Sequence, residues 1–275
     1  MIKRTILITG CSSGIGLASA RMLRDRGWRV FATARKPKDL RRLEVEEKLE
    51  CLPLELSDSV SIEACAREAL QRTGGQLMAL FNNAAYGQVG AIEDLSADVL
   101  RRQMEVNLIG THALTCAVIP AMRAQGYGRI VNCSSVLGLV TGPYRGAYSA
   151  SKFALEGLTD AMRLELRGTG IFVSLVEPGP IRTRFLETAL EGFKRTIDMT
   201  SSPHRVAYAR RIKSMEAGGK TTFKLEPEAV ARKVVHAVES PRPKIRYFVT
   251  VPTYVAALAK RMLPDRVADI VIAKL

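Results

Sequence analysis

Thr5-Ile6-Leu7-Ile8-Thr9-Gly10-Cys11-Ser12-Ser13-Gly14-Ile15-Gly16 passes from a short apolar run through a glycine-rich loop into a helical pattern, Leu17 to Arg26. Glycines at 10, 14 and 16 let the backbone turn tightly, approach a ligand closely and pack the following helix on the strand. The free N–H groups at the start of such a helix face an anion, and a pyrophosphate is the natural occupant. The spacing is Gly-x3-Gly-x-Gly, which differs from the Gly-x-Gly-x2-Gly of the usual dinucleotide fingerprint. A tight turn without a ligand is the alternative for the loop taken alone.

Outward from this loop, apolar runs of strand length recur: Trp28 to Thr33, Glu50 to Leu54, Leu77 to Phe81, Gly128 to Cys133 and Ile171 to Val176. They are continuous rather than alternating, as strands covered on both faces are. Amphipathic stretches of helical length lie between them, including Ser59 to Arg72, Ala97 to Arg123 and Ala147 to Leu166. Strand and helix alternate from the start, which predicts an α/β fold: one doubly wound parallel sheet of the Rossmann type in three αβα layers, a single domain over 1–275. After Pro178-Gly179-Pro180 the alternation lapses, and 184–226 reads as a helical insertion over the sheet without an obvious strand. It resumes with a helix from Pro227 to about Glu239 and a short strand near Arg246 to Val249. Residues 253–275 read as a C-terminal helical extension.

A chain of 275 residues that is 47% hydrophobic and 25% charged can bury a sizeable core, which excludes a disordered peptide. No apolar stretch approaches the roughly 20 residues needed to cross a bilayer. The first residues offer too short an apolar run for a secretory signal, so a cytoplasmic location is expected. Cysteines at 11, 51, 65, 116 and 133 and histidines at 112, 204 and 236 show no ligand spacing, so neither a metal site nor a disulfide framework is expected. The net charge is +14, and residues 184–275 carry 18 basic against 9 acidic side chains. Without interleaved aromatics or a helix-turn-helix pattern this excess does not point to nucleic acid. Peripheral contact with an anionic membrane through the basic C-terminal third stays open.

The end of the second strand, Phe31-Ala32-Thr33-Ala34-Arg35-Lys36, has no acidic residue before Asp39. A carboxylate there would accept from a ribose 2′-hydroxyl, whereas Arg35 suits a 2′-phosphate, so NADP is favoured over NAD. Further on, the strand Gly128 to Cys133 ends in Ser134-Ser135, and Tyr148-Ser149-Ala150-Ser151-Lys152 opens a helix. Tyr148 and Lys152, four apart, share one helical face. An ammonium about 5 Å from a phenol at an effective dielectric near 20 favours the phenolate by about 3 kcal/mol, before desolvation opposes it. A phenol so lowered serves as general acid or base, and Ser135 at a strand end could orient the reacting oxygen.

Taken together these residues resemble the short-chain dehydrogenase/reductase family over about residues 3 to 183. Thr9-Gly10-x3-Gly14-Ile15-Gly16, Asn82-Asn83-Ala84, Asn107, Ser135, Tyr148-x3-Lys152 and Pro178-Gly179-x3-Thr183 fall in the family's order. The resemblance implies catalysis by Asn107, Ser135, Tyr148 and Lys152. Tyr148 would be the acid/base, Lys152 would lower its pKa and hold the nicotinamide ribose, and Asn107 would hold a relay water through its main chain. It implies cofactor contacts at Gly10, Ser12, Ser13, Gly14, Ile15, Gly16, Arg35, Leu56, Asn83, Tyr148, Lys152, Pro178, Gly179, Ile181 and Thr183. Two positions depart from the family pattern: Ala85 replaces a glycine, and Glu55 stands where an adenine-contacting aspartate is usual.

The resemblance further implies an NADP(H)-dependent oxidoreductase exchanging hydride with a carbonyl or alcohol of an apolar substrate, of the kind represented by steroids, retinoids and aldehydes. The 184–226 segment would act as a lid, with Phe185, Leu186, Leu190, Phe193 and Met199 as its apolar material. A homodimer or homotetramer would form through the helices near 97–123 and 147–166. A cofactor-binding regulatory protein without turnover is the alternative, and intact Ser135, Tyr148 and Lys152 weigh against it.

Overall fold

β-Branched and aliphatic residues dominate the strand segments, and burial of both faces holds them in a parallel ladder. The computed structural model describes residues 4–219 and 222–272. Its strands are β1 (Thr5–Ile8), β2 (Arg29–Ala34), β3 (Glu50–Pro53), β4 (Ala79–Asn82), β5 (Gly128–Cys133), β6 (Ile171–Glu177) and β7 (Arg246–Phe248). They form one seven-stranded parallel sheet in the order β3-β2-β1-β4-β5-β6-β7. Ile6 pairs with Val30 on one side and with Ala79 on the other. The chain therefore winds outward through β2 and β3, then returns to β4 beside β1. That reversal opens a crevice at the carboxyl ends of β1 and β4.

Helices α1 (Gly14–Arg24), α2 (Pro37–Val45), α3 (Ser59–Thr73), α4 (Ala97–Met104), α5 (Gly110–Gln125) and α6 (Gly146–Glu165) follow the first five strands. Beyond β6 come α7 (Phe185–Thr196), α8 (Arg205–Glu216) and α9 (Pro227–Glu239), and after β7 come α10 (Val251–Met262) and α11 (Asp265–Ile272). One face of the sheet packs Ile6, Ile8 and Val131 against Leu23 of α1 and Val230 and Val234 of α9. The other packs Leu7, Phe31 and Ile130 against Ile62 of α3, Val118 of α5 and Met162 of α6. The three-layer αβα architecture is the one expected.

Several details differ from the expectation. The predicted helix over 97–123 is continuous in space but passes through a π-helical turn, Glu105–Ile109, between α4 and α5. The 184–226 segment, read as strandless, closes on itself through a parallel bridge between Ile181 and Leu225. Arg182 N donates to Leu225 O at 2.8 Å and Leu225 N to Pro180 O at 3.1 Å, so the segment's two ends meet. Its helices α7 and α8 bury Ala189, Phe193, Tyr208 and Met215 against Val89 and Ala91 of the loop after β4. Residues 220–221 of that segment, and 273–275 of the predicted C-terminal extension, lie outside the described residues. Among the described residues no helix is long and apolar enough to cross a membrane.

Candidate active site

The glycine loop joins β1 to α1 under close steric control. Gly10 has φ +73°, a left-handed conformation that side chains resist, and a Cβ on it would lie 2.9 Å from Ala84 Cα. Gly16 is needed for space: its Cβ would stand 2.3 Å from the Gly10 carbonyl oxygen and 2.7 Å from Asn83 Nδ2. Asn83 Nδ2 donates to Thr9 O at 2.9 Å and Gly10 O at 3.2 Å, while Thr9 Oγ1 accepts from the main chain of Asn83 and Ala84. Cys11 N donates to Thr33 O, and Arg42 of α2 donates to Ser12 O at 2.6 Å. At the head of α1, Ser13 makes no side-chain cap and the first turn has no acidic residue. Its N–H groups remain open to an anion, so the loop fits a dinucleotide pyrophosphate.

Beside the loop, at the end of β2, the Arg35 side chain is 64% exposed and its guanidinium lies 3.6 Å from Glu55 Oε2. The glutamate that stands where the family has an aspartate thus meets the arginine on the neighbouring strand end.

Across the crevice, Ser135 follows β5 and caps a short turn, its Oγ accepting from Leu137 N at 3.1 Å. Tyr148 and Lys152 lie on the first turns of α6, 7% and 2% exposed. Burial pushes the Tyr148 phenol well above its ordinary value, the Cys133 thiol adds to the rise, and Ser135 and Arg145 pull it down. This differs from the expectation that Lys152 lowers the phenol. Lys152 Nζ is 5.8 Å from the Tyr148 ring centroid and donates instead to the Cys133 carbonyl at 2.7 Å. Burial also lowers the lysine's own pKa. Asn107 sits in the π-helical turn, its Oδ1 accepting from Tyr86 N and its Nδ2 donating to Tyr86 O and Ser151 Oγ.

One cavity of about 1190 Å³ connects the two halves. It is lined by Gly10, Ser12, Ser13, Gly14, Ile15, Arg35, Leu56, Asn83, Ser135, Tyr148, Lys152, Pro178, Gly179, Ile181 and Thr183. Gly16 and Asn107 are not on its wall. Gly16 lets α1 approach the loop, and Asn107 ties the loop after β4 to α6.

A model of the family described as short chain dehydrogenase matches residues 4–193. The chain belongs to that family. It is an oxidoreductase acting on CH–OH groups, and its family binds NAD(P). The chain is 43% identical over 269 residues, 98% of its length and 94% of the relative's, to the uncharacterized oxidoreductase YbbO of Escherichia coli K12. It is 37% identical to human 17-beta-hydroxysteroid dehydrogenase type 1, covering 91% of this chain and 78% of that one. Among solved structures, a short chain dehydrogenase/reductase from Burkholderia phymatum in complex with NAD superposes with TM-score 0.81 at 25% identity, covering 99% and 96% of the two chains.

Several contacts around this dehydrogenase's cavity and behind α6 are carried by no sequence motif. Arg42 carries no motif and reaches Ser12 only through the fold. Phe185 of α7 meets the Tyr148 ring edge-on at 5.3 Å. Behind α6, Arg246 of β7 ion-pairs with Glu156, Asp160 and Glu177. Two buried carboxyls, Glu156 and Glu177, there share one guanidinium, and Glu177, with no exposed surface, is pushed up to about 8 by burial and by Glu156. Arg145 and Arg211 also line the cavity. A tyrosine and arginine just ahead of Tyr148 were the available signal, and only the fold brings α8 to them.

Proposed function

We propose that this dehydrogenase interconverts a carbonyl and an alcohol with NADP(H) in preference to NAD(H). The observation that carries this reading is the meeting of Ser135, Tyr148 and Lys152 on one wall of a cavity whose other end is the open glycine loop. A bound nicotinamide supplies the hydride chemistry, and the chain supplies position and the proton. In reduction, Tyr148 donates its phenolic proton to the carbonyl oxygen; in oxidation, its phenolate takes the proton of the alcohol. Ser135 orients that oxygen by hydrogen bonding. Lys152, anchored on Cys133 O, keeps further N–H donors for the nicotinamide ribose. Asn107 positions α6 through Ser151 and its π-helical main chain holds the relay water. Thr183, Pro178, Gly179 and Ile181 flank the nicotinamide side.

Arg35 supports the phosphate-bearing cofactor, because its exposed guanidinium is free to exchange the 3.6 Å contact with Glu55 for a dianion. The 184–226 segment, held at its base by the Arg182–Leu225 and Leu225–Pro180 hydrogen bonds and carrying Phe185 over Tyr148, is read as a substrate lid. The apolar wall formed by Val136, Leu137, Val140, Leu186 and Met215 supports a substrate with an apolar body. Exposed small and apolar positions on α6, among them Ala150, Phe153, Gly157 and Leu164, support a homodimer packed helix on helix. On α10 and α11, exposed Leu258, Met262 and Ile270 beside Lys260, Arg261 and Arg266 support peripheral contact with an anionic membrane from the cytoplasmic side. Fluorescence titration with NADPH and NADH tests the reading. Wild type should bind NADPH more tightly, and Arg35→Asp should weaken NADPH by about tenfold or more. Equal affinities unchanged by the substitution would overturn the preference, and no binding of either would overturn the function.

A further inference from the structure

Beyond Tyr148 the cavity runs on beneath α8, and its wall there is cationic as well as apolar. Tyr144 is the pivot. It has φ +66°, a left-handed conformation that costs a tyrosine energy and persists only where the surroundings impose it. Its hydroxyl lies 3.3 Å from His204 Nδ1, its ring packs edge-on to Tyr208 at 5.6 Å, and its carbonyl accepts from Gly90 N at 3.1 Å. The ring so held is a platform for Arg211, whose guanidinium sits 4.9 Å from its centroid. The next residue, Arg145, stands three positions ahead of Tyr148 and also lines the cavity.

Both guanidiniums are partly withdrawn from water, and burial opposes their charge. Arg145 directly follows Tyr144, the residue on whose ring Arg211 rests, so both cations stand on the same stretch of cavity wall, and each opposes the other's charge. No carboxylate acts on either, and neither is ion-paired among the described residues. Four of the chain's other arginines show the usual alternative, Arg21 pairing with Glu47, Arg26 with Glu239, Arg29 with Glu50 and Arg182 with Glu226. Two adjacent, half-buried cations without a counter-charge are unfavourable in themselves, and an anionic ligand relieves both desolvation and repulsion.

We infer that Arg145 and Arg211 form an oxyanion-binding subsite in the substrate half of the cavity. The substrate is then amphiphilic: its reactive carbon lies at Tyr148, its apolar body lies along Val136, Leu137, Val140 and Leu186, and a carboxylate or like oxyanion reaches the two arginines. Planar guanidiniums match a carboxylate in two-point geometry. The assignment rests on the carbonyl–alcohol reading above and names the substrate class for it. Asp269 of α11, at the same cavity, is exposed and acts on neither arginine.

The test compares nonanal with its ω-carboxylate, ω-oxononanoate, as substrates of the full chain with NADPH. Wild type should favour the carboxylate in kcat/KM by about tenfold or more, and Arg145→Gln and Arg211→Gln should each bring that ratio toward one. Added salt should shrink the wild-type ratio. A second readout needs no turnover: azelate should raise the Tm of wild type and fail to raise that of Arg211→Gln, with octyl phosphate and octyl sulfate showing which oxyanion fits best. Equal kcat/KM for the two aldehydes, or a ratio unmoved by both substitutions, overturns the subsite and leaves the reductase reading standing. Arginine-dependent stabilisation by azelate without turnover of either aldehyde upholds the subsite and overturns the reductase reading. Neither binding nor turnover overturns both.

Discussion

Lys152 Nζ donates to the Cys133 carbonyl oxygen at 2.7 Å, which fastens the first turns of α6 to the end of β5. The lysine is thereby a strut as well as a charge, and the phenol of Tyr148 is left under the control of burial, Ser135 and Arg145. Burial wins, and the phenol holds its proton through neutral pH. Carbonyl reduction should then be nearly constant from mildly acidic to neutral pH. Alcohol oxidation needs the phenolate and should climb by about tenfold per unit between about pH 7 and 10. Profiles of kcat/KM in both directions check this, and an oxidation optimum at or below neutral pH would contradict it.

Gly16→Ala should damage the cofactor site from behind. Its new methyl would meet the Gly10 carbonyl oxygen at 2.3 Å, and that backbone cannot retreat without displacing Asn83 Nδ2. Overpacking costs about 1–3 kcal/mol, enough to weaken NADPH binding by about tenfold or more. Titration of NADPH alongside circular dichroism separates a displaced loop from a lost fold, and unchanged affinity would show that the loop has slack.

The Arg246 cluster makes stability depend on pH. Glu177 has an ordinary carboxyl pKa of 4.5 and is raised to about 8 in the folded chain. Between these values the folded state holds a proton that the unfolded state has released, so its contribution is complete below 4.5 and is lost as pH rises through about 8. Tm should fall across that window, and Glu177→Gln should flatten the fall. A slope equally steep in the variant would place the titrating group elsewhere.

Gly157 lies exposed on α6 with nothing within 4 Å of the position a Cβ would take. Gly157→Arg should leave the protomer folded and convert a helix-paired dimer to monomer in sedimentation velocity. An assembly unchanged in mass would move the interface to another face.

How far the sequence was legible follows from how local each feature is. β5 was readable to the residue because Gly128 and Ser134 bracket its apolar run. β4 was displaced, read as Leu77 to Phe81 against Ala79–Asn82, because Leu77 is buried without joining the ladder and Asn82 is a polar strand residue whose Nδ2 donates to Thr115 Oγ1 and Asn132 Oδ1. The glycine loop and the Tyr148–Lys152 pair were legible because each is a short motif in one turn of chain. The Ile181–Leu225 closure, the Arg35–Glu55 contact and the seating of Arg211 on the Tyr144 ring were not, because each joins segments that only the packed fold brings together. The direction of the Tyr148 shift was misjudged for the same reason: periodicity puts Lys152 on the right face but says nothing of the carbonyl that captures it.

In the proposed mechanism Tyr148 exchanges the proton with the substrate oxygen. Tyr148→Phe keeps the ring that packs on Phe185 and removes only the hydroxyl, so the measurement is single-turnover reduction of an aldehyde with bound NADPH. The rate should fall by about 10²–10⁴-fold with NADPH affinity within about threefold of wild type. A variant that binds NADPH and reduces the aldehyde at the wild-type rate would contradict it.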